Sequence, residues 1–328
     1  MKRKIKIICT LGPKSLNKKF LNFSKNKISL LRLNMSHLSL IDLKKSIKFI
    51  RRYTNIPICI DTEGAQVRTK VKKEKFLKVG QKIKISKSKK DPGLYPDIIY
   101  KKIKKKDILS VGFENLKLKV IKNKKYLLCE VISPGNLQNN KGVHVENRKI
   151  KLNFLTDKDF QAIKIGEKYK IKNYALSFTN TVEDINKFNN LLKNKNKIFK
   201  IETFNATNNF KNIIKKGDTF LIDRGDLSKD VKIENIPSIQ RNLFKCKKNL
   251  KNKKIYVATN LLESMIENNY PTRGEANDIF NSLEMGADGL VLAAETAIGK
   301  YPIDAVKFLQ KMINVFKKSK YKSPKYFK

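Results

Sequence analysis

Histidine and cysteine are scarce in this sequence. Among 328 residues there are two histidines, His37 and His144, and four cysteines, no two of which stand at metal-ligand spacing. This scarcity argues against a zinc centre and against a disulfide framework. Cys9 and Cys59 occur within short apolar runs, which predicts that both are unreactive residues of the core.

Long hydrophobic runs are also missing. The apolar run nearest the N-terminus, Ile7 to Cys9, is ended by Thr10. A signal peptide needs an apolar stretch of about 7–15 residues, and a membrane-spanning helix needs about 20. The sequence therefore predicts a soluble, cytoplasmic protein.

Acidic residues are few relative to basic ones. There are 29 Asp and Glu residues against 73 Lys and Arg residues, a formal net charge of +44. So large a positive charge is typical of nucleic-acid-binding proteins. However, lysine and asparagine are spread over every segment, and no nucleic-acid-binding motif accompanies them. A general shift of the amino-acid composition toward lysine and asparagine would give the same distribution, whatever the function. We therefore predict no specific nucleic-acid partner, weak attraction for polyanions, and attraction for phosphorylated substrates.

Eight short apolar segments are predicted strands, and helical patterns fill most of the intervals between them. The strands are predicted at Ile5–Cys9, Ser29–Asn34, Ile56–Asp61, Tyr174–Ser177, Ile198–Glu202, Thr219–Ile222, Ile255–Ala258 and Gly289–Leu292. Helices are predicted at Leu38–Ile50, Thr181–Leu192, Ile236–Leu250, Glu275–Met285 and Pro302–Phe316. Thr181 is expected to cap its helix, and Gly286 to end another. Eight strands alternating with helices predict a (β/α)8 TIM barrel.

One interval interrupts this alternation, between Asp61 at the end of the third strand and Tyr174 at the start of the fourth. Its central part, residues 69–147, contains alternating apolar and polar residues and turn sequences such as DPG and SPGN. Such a pattern is typical of β-hairpins. We predict a small barrel-like β domain inserted after strand 3, and a barrel made of residues 1–68 and 148–328.

Polar and charged side chains follow nearly every predicted strand, at the end of the barrel where the active sites of this fold lie. Lys200 and Glu202 are two residues apart on the fifth strand and share a face. They form either a structural ion pair or part of an active site. Asp226 adds a second carboxylate, and two carboxylates without histidine or cysteine favour a hard divalent cation such as Mg²⁺. A cationic, metal-bearing site suits phosphoryl transfer or enolate chemistry.

Eight segments of the chain resemble those of pyruvate kinases and occur in that family's order. They are KIICTLGPKS (6–15), LLRLNMSH (30–37), IDTEGAQVRT (60–69), KIET (200–203), IDRGDL (222–227), VATNLLESMI (257–266), YPTRGEANDI (270–279) and GADGLVLAAETAIGKYPIDAV (286–306). The resemblance covers nearly the whole chain and is most specific between Ile222 and Val306. It implies the glycolytic transfer of phosphoryl from phosphoenolpyruvate to ADP, which gives pyruvate and ATP.

The resemblance also implies a role for each matching residue. Lys200 would be catalytic, because it matches the lysine that stabilises the transferring phosphoryl group and the enolate. The residues that match the ligands of Mg²⁺ (or Mn²⁺) are Glu202 and Asp226. Those that match the ligands of K⁺ are Asn34, Ser36, Asp61 and Thr62. Those that match substrate-binding residues are Arg32, Gly225, Asp226 and Thr259. Those on the nucleotide side are His37, Arg68 and Lys141. Taken alone, His37 is equally compatible with a residue that starts a helix.

The chain departs from the family pattern at several positions. Glu63 and Gln66 stand where the family has a lysine and a glutamate, and Ala293 stands where it has a serine suspected to belong to the proton-delivery route. The family's C-terminal domain has no counterpart in the sequence, so allosteric control through it is not expected. A relative with impaired catalysis that binds phosphoenolpyruvate or a partner stays an open alternative. So do a lyase that uses the same Mg²⁺–enolate pocket and a homo-oligomer formed through the barrel.

Two properties are expected from these assignments. Lys200 is predicted to stand at a strand end and not in the barrel core. The change Lys200→Met is therefore expected to remove activity with little effect on thermal stability.

Gln66 is neutral, whereas K⁺-dependent relatives carry a glutamate at this position and K⁺-independent relatives tend to carry a lysine. We therefore expect K⁺ to raise the rate without being strictly required.

Overall fold

The first third of the barrel is built from three strands and two helices. The computed structural model describes residues 4–112, 116–146, 148, 150–248, 250 and 252–319. Its first elements are β1 (Lys6–Thr10), α1 (Lys18–Ser24), β2 (Leu30–Asn34), α2 (Leu40–Tyr53) and β3 (Ile58–Asp61). Helix α2 begins after Ser39, whose side-chain oxygen accepts a hydrogen bond from the backbone N–H of Asp42, as N-cap residues do. Its buried face has helical spacing and consists of Leu43, Ser46, Ile47 and Ile50.

Residues 64–156 form a compact unit of their own. Its elements are β4 (Val67–Lys70), β5 (Lys75–Leu77), β6 (Lys82–Ile85), β7 (Gly93–Tyr95), α3 (Ile99–Lys102), β8 (Ile108–Val111), β9 (Leu116–Asn123), β10 (Leu127–Ser133), β11 (Gly135–Leu137) and β12 (Gly142–Val145). Seven of these strands form an antiparallel sheet in the order β6-β10-β9-β8-β12-β4-β7, and β5 pairs with β11. Apolar residues that alternate along these strands, such as Leu116, Leu118 and Val120, form a separate core.

The rest of the chain returns to the other compact unit, residues 1–63 with 157–328. Its elements are α4 (Asp157–Lys168), β13 (Asn173–Leu176), α5 (Val182–Leu191), β14 (Asn196–Ile201), α6 (Phe204–Asn208), α7 (Phe210–Lys216), β15 (Thr219–Asp223), α8 (Arg224–Leu227), α9 (Ile236–Lys247), β16 (Lys254–Ala258), α10 (Arg273–Glu284), β17 (Gly289–Leu292), α11 (Ala294–Ala297) and α12 (Pro302–Lys318). Thr181 forms a capping box with Asp184 at the start of α5, and Gly286 follows α10 with a φ of 109°. Both predicted helix boundaries are therefore confirmed.

Eight strands close into a parallel barrel in the order β1-β17-β16-β15-β14-β13-β3-β2. This confirms the predicted TIM barrel with a β insertion after its third strand, and every predicted barrel strand overlaps an observed one. The sequence patterns did not indicate α1, which has too few residues for helical periodicity to show. They also did not indicate α4, in which Gly166 weakens the helical signal. Within the described residues, no helix combines the length and the apolar character that a membrane crossing requires.

The barrel strands place their alternate residues in the interior in layers. One layer is apolar and includes Ile8, Leu30, Cys59, Ala175, Ile198, Leu221 and Val291. Side chains two residues apart on a strand share a face, so the residues two positions after those of the apolar layer form the next layer toward the C-terminal ends of the strands. This next layer is polar. It includes Thr10, Arg32, Asp61, Ser177, Lys200 and Asp223. This polar layer lies at the end of the barrel where the active sites of the fold form.

Candidate active site

Lys200 lies at the centre of a cluster of carboxylates. Its side chain is buried, with 3% of the residue exposed. Its Nζ lies 3.0 Å from Glu202 Oε2, 3.2 Å from Asp223 Oδ2 and 3.6 Å from Asp61 Oδ2. Nζ also donates a hydrogen bond to Ser177 Oγ at 3.2 Å. The strands that lead to these residues, β3, β13, β14 and β15, are consecutive in the barrel, which brings together residues far apart in sequence.

The carboxylates keep Lys200 charged in spite of its burial. Burial lowers the pKa of the Lys200 ammonium, but the charges of Asp61, Glu202 and Asp223 outweigh burial and raise the pKa above its ordinary value. Lys200 does stand near the end of β14, but it is buried as the counter-charge of these carboxylates. The premise behind the expected small effect on stability is therefore wrong. We now expect the loss of Lys200 to lower the free energy of unfolding as well.

Arg32 is the second buried cation of the site. Its Nε donates a hydrogen bond to Asp61 Oδ2 at 2.7 Å, its Nη2 lies 2.5 Å from the same oxygen, and its Nη1 donates to Thr10 Oγ1 at 2.9 Å. Burial lowers the pKa of the guanidinium, but Asp61 and Asp223 more than offset this and hold the pKa above its ordinary value. Arg32 and Lys200 are thus two fixed positive charges, each suited to a phosphate group.

The four predicted K⁺ ligands lie together at the ends of β2 and β3, where Asn34 pairs with Asp61 in the barrel register. Asn34 Oδ1 accepts a hydrogen bond from the backbone N–H of Ser36 at 3.0 Å. Asp61 Oδ1 and the carbonyl oxygen of Thr62 lie 3.2 Å and 2.7 Å from Ser177 Oγ. The group therefore offers amide, carboxylate and carbonyl oxygens within one short stretch of two neighbouring strands.

Glu202, Asp223 and Asp226 form a group of three carboxylates, of which the sequence predicted the first and the last. One ligand oxygen from each residue lies within 4.8 Å of the others. Glu202 and Asp223 are buried. Asp226 is half-buried, and its Oδ1 lies 2.6 Å from Lys229 Nζ. Hard divalent cations prefer carboxylate oxygens, so the predicted Mg²⁺ ligands stand in a suitable place.

The two carboxylate oxygens of Glu202 have different surroundings. Its Oε1 accepts a hydrogen bond from the backbone N–H of Phe178 at 2.5 Å. Its Oε2 is buried and has no hydrogen-bond partner within the described ranges, although Lys200 Nζ is 3.0 Å away. Buried polar atoms are nearly always hydrogen-bonded, and each exception needs an explanation. A bound cation is one such explanation, and the donor set here fits a hard metal ion.

The protonation of Glu202 should make the stability of the metal-free protein depend on pH. Burial raises the pKa of the Glu202 carboxyl to about 8; Lys200 lowers it, and the charges of Asp226, Asp223 and Asp61 raise it. The pKa in the folded state thus exceeds the ordinary value of 4.5. The folded state therefore binds this proton more tightly than the unfolded state, and this contribution to stability is lost as pH rises from 4.5 to about 8.

We expect a slope of up to about 1.4 kcal/mol per pH unit from this group in that window. The measurement is urea unfolding in the presence of a chelator across the window. Glu202→Gln, which cannot titrate, should remove this part of the slope. An identical pH dependence in the parent and in Glu202→Gln would show that Glu202 does not titrate there.

The turn after β16 is strained and lies beside the carboxylates. Thr259 has a φ of 68°, a left-handed conformation that is rare for a β-branched residue and concentrates at functional sites. Its Oγ1 accepts a hydrogen bond from the backbone N–H of Gly225 at 2.7 Å. Its carbonyl oxygen accepts hydrogen bonds from Arg224 Nε and Nη2 at 3.2 Å and 2.7 Å, while Arg224 also pairs with Asp278. The predicted substrate residues Gly225 and Thr259 are therefore in contact, and Arg224 holds their turn.

The residues predicted to bind nucleotide lie in two groups. His37 is exposed and follows β2, and its backbone N–H donates to the carbonyl oxygen of Asn34 at 3.1 Å. Arg68 and Lys141 belong to the unit of residues 64–156. Arg68 Nη1 donates to the carbonyl oxygen of Asn140 at 3.2 Å. Since Asn140 directly precedes Lys141, these two predicted residues are neighbours within that unit.

Two positions that depart from the family pattern have different surroundings. Glu63 is buried, and its Oε1 lies 2.7 Å from Lys158 Nζ, which also donates to the carbonyl oxygen of Met35 at 2.6 Å. Gln66 is 5% exposed, and neither atom of its side-chain amide has a hydrogen-bond partner in the part of the chain that the structure describes. The new carboxylate of Glu63 therefore pairs with Lys158 of α4.

Asp223 is the functional residue that sequence reasoning missed most clearly. It stands two residues after Leu221, whose side chain belongs to the apolar layer of the barrel interior. The alternation rule applied above to the fifth strand therefore predicts Asp223 in the polar layer, and it similarly predicts Ser177 from Ala175. The contact of Lys229 with Asp226 also has a local signal, because the two residues are three apart in sequence, a spacing that brings side chains together in a helical turn.

Comparison with known proteins gives one consistent match. The family model described as "Pyruvate kinase, barrel domain" matches residues 2–306. A pyruvate kinase of Methanocaldococcus jannaschii is 34% identical over 321 residues, which cover 96% of this chain and 70% of that protein. A pyruvate kinase of Thermotoga maritima is 32% identical over 332 residues, which cover 94% of this chain and 70% of that protein. Pyruvate kinase isozyme G, chloroplastic, of Nicotiana tabacum is 34% identical over 327 residues, which cover 94% of this chain and 58% of that protein.

Proposed function

Since the chain belongs to the pyruvate kinase family, we propose that it transfers a phosphoryl group from phosphoenolpyruvate to ADP and so produces pyruvate and ATP. The observation that supports this most is the buried contact of Lys200 with Glu202 and Asp223 at the mouth of the barrel. Phosphoryl transfer requires positioning and charge stabilisation more than covalent chemistry. A site with fixed cations beside metal-binding carboxylates provides both.

Lys200 and Arg32 are the fixed cations in this proposal. Both are held by buried carboxylates, so their positions are set before the substrate binds and no reorganisation is needed during the reaction. Arg32 binds the phosphate of phosphoenolpyruvate. Lys200 stabilises the charge of the transferring phosphoryl group and then that of the enolate, which takes a proton on carbon to become pyruvate. Gly225, Asp226 and Thr259 hold the substrate carboxylate.

Glu202 and Asp226 are the proposed protein ligands of Mg²⁺ or Mn²⁺. The proximity of the carboxylates supports this assignment, as does the buried Oε2 of Glu202, which lies 3.0 Å from the Lys200 ammonium but has no hydrogen bond within the described residues. When bound, the ion neutralises the negative charge of the substrate oxygens. The chain itself keeps Glu202 oriented for this role through the backbone N–H of Phe178.

The proposed nucleotide-binding residues are those that the family resemblance indicates. His37, Arg68 and Lys141 bind ADP and ATP in this proposal. Residues 69–147 act as a lid domain that excludes water during the transfer, and residues 1–68 and 148–328 form the barrel that holds the substrate. Exclusion of water matters because water competes with ADP for the phosphoryl group.

A coupled assay tests this function. The purified chain is supplied with phosphoenolpyruvate, ADP, Mg²⁺ and K⁺, and pyruvate is measured with lactate dehydrogenase and NADH. Pyruvate formation that requires both ADP and the divalent ion supports the proposal. Pyruvate formation without ADP would indicate a phosphatase, in which water takes the phosphoryl group. No pyruvate formation would indicate a relative that binds without catalysis, or a lyase that acts on another acid.

K⁺ should raise the rate of this reaction without being strictly required. Asn34, Ser36, Asp61 and Thr62 supply the oxygens for the ion, whereas Gln66 is neutral and neither demands its charge nor replaces it. The measurement is the initial rate against K⁺ concentration, at a constant ionic strength set by a bulky organic cation. A rate independent of K⁺ would show that the site no longer functions, and a zero rate without K⁺ would show that Gln66 matters less than its charge suggests.

A further inference from the structure

Asp223 brings a third carboxylate to the proposed metal site. It is the last residue of β15, and 3% of it is exposed. Its Oδ2 lies 3.2 Å from Lys200 Nζ, and its Oδ1 lies 3.3 Å from Thr259 Oγ1. One of its oxygens lies within 4.8 Å of ligand oxygens of both Glu202 and Asp226. The backbone thus brings Asp223 to the same place as the two ligands predicted from the sequence.

A second observation indicates that this group of carboxylates holds a ligand. Oε2 of Glu202 is buried beside the group and has no hydrogen-bond partner in the described part of the chain. The ammonium of Lys200 serves both Glu202 and Asp223. Buried carboxylates that outnumber the cation between them repel one another. An additional cation would coordinate Glu202 Oε2, whose nearest cation is Lys200 Nζ at 3.0 Å, and would offset this repulsion.

We infer that Asp223 is a third protein ligand of the divalent ion, together with Glu202 and Asp226. This inference deepens the proposed function and rests on its metal site. Mg²⁺ sites for phosphoryl transfer usually use one or two carboxylates, and water and substrate oxygens complete the shell. With a third carboxylate ligand, binding of the ion depends less on ligand oxygens from the substrate. The chain therefore binds the divalent ion before phosphoenolpyruvate arrives.

The rival role for Asp223 is that of a counter-ion for Lys200 alone. Both roles predict that Asp223→Asn loses activity, so activity does not separate them. They differ in the affinity of the substrate-free protein for a metal ion. A ligand should contribute to that affinity as much as the other two carboxylates do, whereas a counter-ion of Lys200 acts on the ion only through its nearby charge and should contribute less.

The test is a titration of the substrate-free protein with Mn²⁺, in which the free ion is followed by its electron paramagnetic resonance signal. Asp223→Asn should raise the dissociation constant more than about 100-fold, as much as Asp226→Asn does, since loss of a mere outer partner of a metal ligand typically costs about 10–100-fold in affinity. Asp218→Asn is the matched control. Asp218 precedes the same strand at its other end, and its side chain is 87% exposed, so its loss should leave Mn²⁺ binding unchanged.

Asp226→Asn separates the failure of this inference from the failure of the proposed function. If Asp223→Asn weakens Mn²⁺ binding by less than about 100-fold and by less than Asp226→Asn does, Asp223 is only a counter-ion and the inference is overturned, although the proposed site stands. If both variants bind like the parent, the proposed metal site is overturned as well. Circular dichroism verifies the fold of each variant. If Asp223→Asn unfolds, Asp223→Ser is titrated instead, and a parent-like affinity there also overturns the inference.

Discussion

Replacing Lys200 by methionine should lower kcat about 10²–10³-fold, which is the typical cost of losing one preorganised charge in an active site. The same change should lower stability. It leaves the buried carboxylates of Asp61, Glu202 and Asp223 without their shared ammonium, and removing one partner of a buried ion pair costs about 3–5 kcal/mol. Proton uptake by Glu202 offsets part of this cost, because burial already raises its pKa to about 8. Steady-state kinetics and urea unfolding measure the two effects.

Lys197→Met is the matched control for this substitution. Lys197 lies on the same strand, β14, three residues before Lys200 and on its other face. Its Nζ donates a hydrogen bond to the carbonyl oxygen of Leu192 at 3.1 Å, on the side of the strand away from the carboxylates around Lys200. Its loss should leave kcat within about twofold of the parent, as for a charge outside the site. A Lys200→Met protein with activity within a few-fold of the parent would refute the role of Lys200.

Replacing Arg32 by methionine should lower the free energy of unfolding by about 3–5 kcal/mol. Arg32 is buried, and two of its guanidinium nitrogens bind the same oxygen of Asp61. The substitution therefore leaves the buried carboxylate of Asp61 with the more distant ammonium of Lys200 at 3.6 Å and the hydrogen bond from Ser177 Oγ at 3.2 Å. Activity should fall as well, because the proposed phosphate-binding cation is lost. Urea unfolding at neutral pH measures the effect on stability.

A double variant with Asp61→Asn and Arg32→Met distinguishes the cost of an unpaired buried charge from general damage to the core. The double variant contains no unpaired buried charge at this position, so it should recover a large part of the stability that Arg32→Met loses. Its activity should not recover, since neither substitution restores a cation. A double variant whose destabilisation is the sum of those of the two single variants would show that the Arg32–Asp61 contact contributes little.

The barrel could be predicted because its strands are short apolar segments that alternate regularly with helices along the chain. The interior layers follow from the same rule: Lys200 lies two residues after Ile198, and Asp61 lies two residues after Cys59, both of which belong to the apolar layer. Applied to every strand, this alternation also predicts Asp223. The sequence prediction missed Asp223 because the predicted strand, Thr219–Ile222, ends one residue before it, whereas β15 extends to Asp223.

Other parts of the site depend on contacts that leave no local signal. The pairing of Arg224 with Asp278 joins residues 54 positions apart in sequence, and the left-handed Thr259 depends on the hydrogen bonds that Arg224 donates. The ion pair of Glu63 with Lys158 joins β3 to α4, across the whole insertion. Such contacts follow from the closure of the barrel, which a strand-by-strand interpretation of the sequence does not describe.

The most direct test of the account is the stoichiometry of the reaction itself. Phosphorus nuclear magnetic resonance follows phosphoenolpyruvate, ADP and ATP in one sample with Mg²⁺ and K⁺, while proton resonance follows pyruvate. The account predicts that ATP and pyruvate appear in equal amounts as phosphoenolpyruvate and ADP disappear, and that Lys200→Met slows both about 10²–10³-fold. Release of inorganic phosphate in place of ATP, or a rate that Lys200→Met leaves unchanged, would contradict it.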